Sequence, residues 1–205
     1  MGKPSVHPMG TIIYKPEKCF NGYTLFQANE HGATLIDMNG GVVNHWRGLQ
    51  GFPNKLLPGG QVFGSRAERN GTYGWQDQKD LVQVDWDGNV TWQFKQNEYV
   101  EEPGYDGEWM ARQHHDYQRE GNPVGYYVPG MECKTDSGNT LILTHTDVTV
   151  PEISLHKLIS DRMIEVDWEG NILWDWCVHE HFDELGFDEA AKNVLARNPN
   201  IVGNG

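Results

Sequence analysis

The sequence predicts an all-β protein, a β-propeller of which residues 1–205 supply about half of the blades, with a short helical insertion near the C-terminal end. Three observations predict it. One hairpin motif recurs: Asp85-Trp86-Asp87-Gly88-Asn89-Val90-Thr91-Trp92 returns as Asp167-Trp168-Glu169-Gly170-Asn171-Ile172-Leu173-Trp174, and a looser copy runs Asp37-Met38-Asn39-Gly40-Gly41-Val42 and ends near Trp46. A second strand-like element precedes each copy. The composition, with 24 Gly and 10 Pro, favours many turns over long helices.

Each element has a local reason. In all three copies Asp and Gly supply turn chemistry, while β-branched and aromatic neighbours supply the strands, so each copy is read as a hairpin. Gly22-Tyr23-Thr24-Leu25 precedes the first, Pro58-Gly59-Gly60-Gln61-Val62-Phe63 the second, and Gly138-Asn139-Thr140-Leu141-Ile142-Leu143 the third. The unit is therefore strand, turn, strand, turn, strand, repeated about three times, which suits four-stranded blades around an axis. A sandwich also uses short strands but gives no reason for one hairpin to recur. Residues 96–135 are poor in strand signal and rich in Glu, Gly, His and Tyr, and are expected to form a long functional loop. Over residues 181–197, Leu185, Phe187, Ala190, Ala191, Val194 and Leu195 approximate an apolar stripe at helical spacing with Pro199 beyond it, predicting a helix packed on a blade. Three units do not close a ring, so the remaining blades are expected from a further segment or a second chain.

Composition narrows the function classes. The formal net charge of −13 argues against general affinity for nucleic acid or an anionic membrane, both of which attract basic patches. A local positive pocket for a small anion stays possible. Three cysteines, Cys19, Cys133 and Cys177, form no CxxC pair, which argues against a disulfide framework or a Cys-rich zinc site and for reduced thiols in a cytoplasm. No apolar run approaches the roughly 18 residues of a membrane span. Residues 1–6 hold no signal-peptide core, so the expectation is a soluble cytoplasmic chain.

The densest chemical constellation is Arg112-Gln113-His114-His115-Asp116-Tyr117-Gln118-Arg119. If it is extended, His114 and His115 point to opposite faces and only one enters a central site. Asp116 is expected to fix an imidazole tautomer. Arg112 or Arg119 is expected to grip an oxyanion with two donors. His145, at the end of a strong strand, is a candidate for the channel. Tyr126 and Tyr127, in a Pro-Gly-rich segment, are candidates for an aryl pocket. The alternative reading is that these groups satisfy loop backbone and one another. His179 and His181 have a spacing that puts both rings on one strand face, but no clear third ligand accompanies them, so no metal is expected there. His7, His31 and His45 read as surface residues, and Trp86, Trp92, Trp168 and Trp174 as blade packing. No phosphate-binding Gly-rich loop and no nucleophile elbow occur, and no cofactor is expected.

With these residues in view, the stretch 33–40, Asn54-Lys55-Leu56-Leu57-Pro58-Gly59-Gly60, Gln113-His114-His115-Asp116 and Gly138-Asn139-Thr140-Leu141 resemble the aryl-sulfate sulfotransferase family over roughly residues 20–180. The turn motifs are shared by many propellers, and the His-His-Asp set is the more specific signal. The resemblance implies a six-bladed propeller with its site in the central channel. It implies transfer of a sulfuryl group from one phenol to another without a nucleotide donor, through a covalent histidine intermediate steadied by other His and Arg residues. The family's sulfuryl-accepting histidine belongs to a later blade, so His114 and His115 map to supporting positions. Family members are typically exported, whereas no leader is seen here. Two other readings follow from the residues: a non-catalytic propeller scaffold binding through its loops, and a metal-dependent enzyme using His114, His115, Asp116 or His145.

Overall fold

The computed structural model describes residues 11–28, 31–67, 77–102, 105–121, 130, 132 and 134–200. It is an all-β arrangement of antiparallel sheets. The first sheet holds β1 (Thr24–Ala28), β2 (Gly32–Ile36) and β3 (Val42–Trp46) in chain order. The second holds β4 (Lys55–Leu57), β5 (Gln61–Gly64), β6 (Leu81–Val84) and β7 (Val90–Phe94), again in chain order. A separate hairpin pairs β8 (Glu98–Glu102) with β9 (Tyr105–Met110). The last sheet runs β10 (Gln113–Arg119), β11 (Thr140–Val148), β12 (Leu158–Val166) and β13 (Ile172–Cys177).

The recurring motif forms the same turn three times, between the last two strands of each large sheet. One carboxylate oxygen of the leading Asp accepts backbone N–H groups across the turn. Asp37 Oδ1 takes those of Asn39 and Gly41, each at 2.8 Å, Asp85 Oδ1 takes that of Asn89 at 2.8 Å, and Asp167 Oδ1 that of Asn171 at 2.8 Å. Gly40, Gly88 and Gly170 take the left-handed conformation, with φ of 77°, 87° and 87°, which a side chain disfavours. A one-residue register shift follows each turn, at Leu35/Ile36, Gln83/Val84 and Glu165/Val166. These are β-bulges placed by the repeat.

Two cores lie between successive sheets. Ala33, Leu35 and Trp46 of the first sheet pack on Val62, Val82 and Val84 of the second. Leu57, Phe63, Leu81, Trp92 and Phe94 of the second pack on Tyr117, Ile142, Ile164 and Val166 of the last. A tryptophan clamps each interface. Trp46 Nε1 donates to the Asp85 carbonyl at 2.8 Å and Trp92 Nε1 to the Trp168 carbonyl at 2.7 Å. Trp174 occupies the place in the third motif that Trp92 holds in the second, yet it is 46% exposed where Trp92 is 6% exposed.

Two expectations change. Within residues 96–135, β8, β9 and β10 stand where a long loop was expected. Acidic residues mask the strand signal of β8, which pairing stabilises through contacts such as the edge-to-face rings of Tyr99 and Trp109, 5.9 Å apart. At the C-terminal end a 3-10 helix (Val178–Leu185) precedes α1 (Glu189–Arg197), whose N-cap Asp188 accepts the N–H of Ala191 at 2.8 Å. Neither helix buries a residue. Polar bonds tie the end to the last sheet instead: Ser154 Oγ donates to the Ala196 carbonyl at 2.8 Å, and Asn200 Oδ1 accepts from Ile159 N at 2.9 Å. Among the described residues, no helix is long and apolar enough to cross a membrane.

Candidate active site

The His-His-Asp run is a bulge. Gln113 pairs with Thr144 and Tyr117 with Ile142, so His114, His115 and Asp116 of β10 stand against Leu143 alone on β11. Arg112 and His115 take positive φ, 51° and 58°, a conformation that costs non-glycine residues energy and persists where surrounding contacts hold it. Backbone bonds hold this one: the His145 N–H reaches the Arg112 carbonyl at 3.0 Å and the Gln78 N–H the Gln113 carbonyl at 2.8 Å.

The bulge removes the opposite-face geometry of an extended chain. His114 is buried and His115 exposed, but their Nδ1 atoms share a hydrogen bond of 2.8 Å and their rings meet edge to face. The His114 ring stacks on His145 of β11, with centroids 3.8 Å apart and planes 18° apart. Both Nε2 atoms turn to one carboxylate oxygen. Asp161 Oδ1, directly across β12 from His145, lies 3.2 Å from His114 Nε2 and 3.3 Å from His145 Nε2.

Behind this pair sits a buried ionic layer. Asp77 Oδ1 bonds His145 Nδ1, and its Oδ2 accepts from Arg112 Nε at 2.7 Å. Arg112 Nη1 reaches Asp147 Oδ1 at 2.7 Å and also pairs with Glu98. Lys157 pairs with Asp147. Asn97 Nδ2 donates to the His145 carbonyl at 3.1 Å, and Asn97 Oδ1 accepts from Arg162 Nη1 at 3.2 Å.

The electrostatics follow from this layout. Burial pulls the His145 pKa down, but hydrogen bonds and charges from Asp161 and Asp77 outweigh it and raise it to about 9. His145 is therefore an imidazolium at neutral pH. Hydrogen bonds from His114 and His145 hold Asp161 well below the usual carboxylate range. Burial disfavours the Arg112 charge, yet Asp77 and Asp147 overcome it and the guanidinium stays protonated.

The structure thus brings His114, His145 and Arg112 into one neighbourhood, with Arg112 consumed by carboxylates rather than open to an anion. Asp116 does not serve an imidazole. It is exposed, pairs with Lys55 and accepts the Tyr117 N–H at 2.7 Å, because the bulge turns it away from both rings. Arg119 lies elsewhere, between the second and last sheets, against Phe63, Trp92 and Trp168. Tyr126 and Tyr127 lie outside the described residues. His179 and His181 sit on the 3-10 helix rather than a strand and separate: His179 Nδ1 meets Ser160 Oγ at 3.1 Å, and His181 Nδ1 meets Glu184 at 2.8 Å. Sequence reasoning missed Asp77, Asp161, Glu98 and Asp147. No local motif marks them, since the β11–β12 register and a contact 68 residues long bring two of them to His145.

No family model, no curated protein and no solved structure matches this chain.

Proposed function

We propose that this chain forms three successive blades of a β-propeller, six-bladed when complete, and carries part of the site of an arylsulfotransferase-like enzyme that moves a sulfuryl group between phenolic compounds. The observation that carries the reading is the imidazolium of His145, locked by Asp77 on Nδ1 and stacked on His114. It presents an N–H donor and a positive charge at Nε2, where sulfuryl oxygens or a departing phenolate need one.

In this reading the donor's S–O bond breaks as an S–N bond forms to a histidine on a further blade. His145 gives its Nε2 proton to the leaving phenolate and recovers one from the acceptor phenol, whose oxygen then takes the sulfur. Asp161 holds the imidazolium until substrate arrives; its half-exposed side chain leaves room for that exchange. The propeller reading is supported by the thrice-repeated Asp-Gly turn and by the tryptophan clamp repeated at both sheet interfaces. Exposed Trp174 is then the surface that a further segment or chain covers. The free thiols Cys19 and Cys177 fit a reducing cytoplasm.

The test is p-nitrophenyl sulfate as donor and phenol as acceptor, with the complete native assembly. His145→Ala is expected to lower kcat at least about 100-fold, the usual scale for losing a general acid. Unchanged transfer in the His114→Ala/His145→Ala double variant sinks the proposal.

A further inference from the structure

The arrangement of donors around His114 and His145 has a second chemical meaning. One ring nitrogen each of His114 and His145 and an oxygen of Asp161 all lie within 4.8 Å of one another. Two of the three separations, 3.2 and 3.3 Å, run from Asp161 Oδ1 to each nitrogen. Zinc bound at about 2.0–2.2 Å to imidazole nitrogen and carboxylate oxygen in a tetrahedron sets its ligands roughly 3.3–3.6 Å apart. The spacing from carboxylate to imidazoles is close to a tetrahedral edge.

Three further observations point to a cation. His114 is 4% exposed, and its Nε2 is aimed at this space, where it faces Asp161 Oδ1 at 3.2 Å. Asp77 holds the Nδ1 of His145, the carboxylate–imidazole support that fixes a metal-binding tautomer and ring orientation. Around the two rings, Asp77, Glu98, Asp147 and Asp161 face Arg112 and Lys157, so four carboxylates against two fixed cations favour a divalent ion.

We propose that His114, His145 and Asp161 form a three-ligand site for a divalent transition metal, zinc foremost, with its remaining position open to an oxygen of a small anionic ligand. Coordination along both lone pairs opens the stacked rings beyond their present 3.8 Å. The proposal rests on the same two imidazoles as the sulfuryl-transfer reading but not on that activity. Where both hold, the metal takes the place of the His145 proton, so the departing phenolate would be neutralised by the metal rather than protonated by His145, while the accepting histidine stays on another blade.

The experiment strips the full chain with chelator, adds zinc alone, and reads stoichiometry by elemental analysis and affinity by calorimetry. Cobalt substitution reports geometry through its visible absorption. One ion per chain with a tetrahedral cobalt spectrum is expected. Asp161→Ala, on a half-exposed side chain, is expected to weaken binding at least about 100-fold, and Asp77→Asn about 10–100-fold as a supporting partner. Asp116→Ala leaves binding unchanged. Undiminished binding by both Asp161→Ala and His114→Ala, or no binding by the wild-type chain, overturns the site. Metal binding by this chain with no sulfuryl transfer by the complete native assembly keeps the site and removes the transfer reading. Sulfuryl transfer by a chain that binds no metal does the reverse.

Discussion

Two arginines seven residues apart are both fully buried, Arg112 at 0% and Arg119 at 1% exposure, and their surroundings are opposite. Arg112 meets Asp77, Glu98 and Asp147. Arg119 meets no carboxylate among the described residues. Its guanidinium lies 4.6 Å from the Trp92 ring centre, 4.7 Å from that of Trp168 and 5.0 Å from that of Phe63. It donates to Thr140 Oγ1 at 2.7 Å. Burial pulls the pKa of each down. Carboxylates reverse this at Arg112, whereas Arg119 falls to about 10. The difference teaches that one arginine organises the site and the other glues two sheets. Arg112 neutralises the carboxylate that locks His145, and Arg119 fills an aromatic box at an interface.

The largest effect expected from this contrast is at Arg112. Arg112→Met takes the shared cation from Asp77, Glu98 and Asp147, and removing one partner of a buried charge pair costs about 3–5 kcal/mol. Urea denaturation checks it. Adding Asp147→Asn to the variant should restore part of the loss, because it removes one stranded charge. A cost below about 1 kcal/mol for Arg112→Met would break the comparison.

The aromatic box comes next. Trp92→Leu removes a ring face from Arg119 and the N–H bond to the Trp168 carbonyl, and a core truncation of this kind costs about 3 kcal/mol. Trp174→Leu, at the matching but exposed place in the repeat, is expected to stay within about 0.5 kcal/mol in the isolated chain. Equal costs would mean that the repeat, not the interface, sets the energetics. Arg119→Met follows. Here an uncompensated buried charge is exchanged for an apolar side chain of similar length, while a cation–π attraction of about 2 kcal/mol is lost. The net change is expected within about 1 kcal/mol of zero. A loss as large as that at Arg112 would reveal an anion bound to Arg119.

How far these roles were legible in the sequence depends on how local their causes are. The Asp-Gly turns were readable because each is closed by its own residues, Asp85 with Asn89 and Asp167 with Asn171. The C-terminal helix was readable from its apolar stripe and Pro199, though it begins at Glu189 rather than near residue 181. His114 and His145 stood out as residue types, but their partners did not. Asp161 reaches His145 only through strand register, and Asp77 only through packing. Adjacency along the chain misled at Asp116, which the bulge sends outward to Lys55. It misled again in treating Arg112 and Arg119 as equivalent oxyanion grips, since burial and neighbours, not sequence distance, separate their roles. The strands of 98–110 were hidden because their acidic residues lie on an exposed hairpin that only pairing stabilises.

The smallest effect is silent at neutral pH and tests the same interface through Tyr117, whose ring packs on Phe63 beside the box. Its hydroxyl donates to the Phe63 carbonyl at 2.8 Å and also to that of Pro53. Burial, aided by the charge of Asp116, holds its pKa well above the ordinary value of 10.0. A pKa raised on folding means that the native state keeps a proton the unfolded chain gives up. The stabilisation is therefore complete below about pH 10 and is lost progressively above it. Tyrosinate absorbance of the native protein should show one of the eight tyrosines resisting titration until the fold opens. Tyr117→Phe should remove that resistant step and flatten the fall in stability above pH 10. If all eight tyrosines titrate near 10 with the sheets intact, the interface between the second and last sheets admits water, and the dry box around Arg119 is wrong with it.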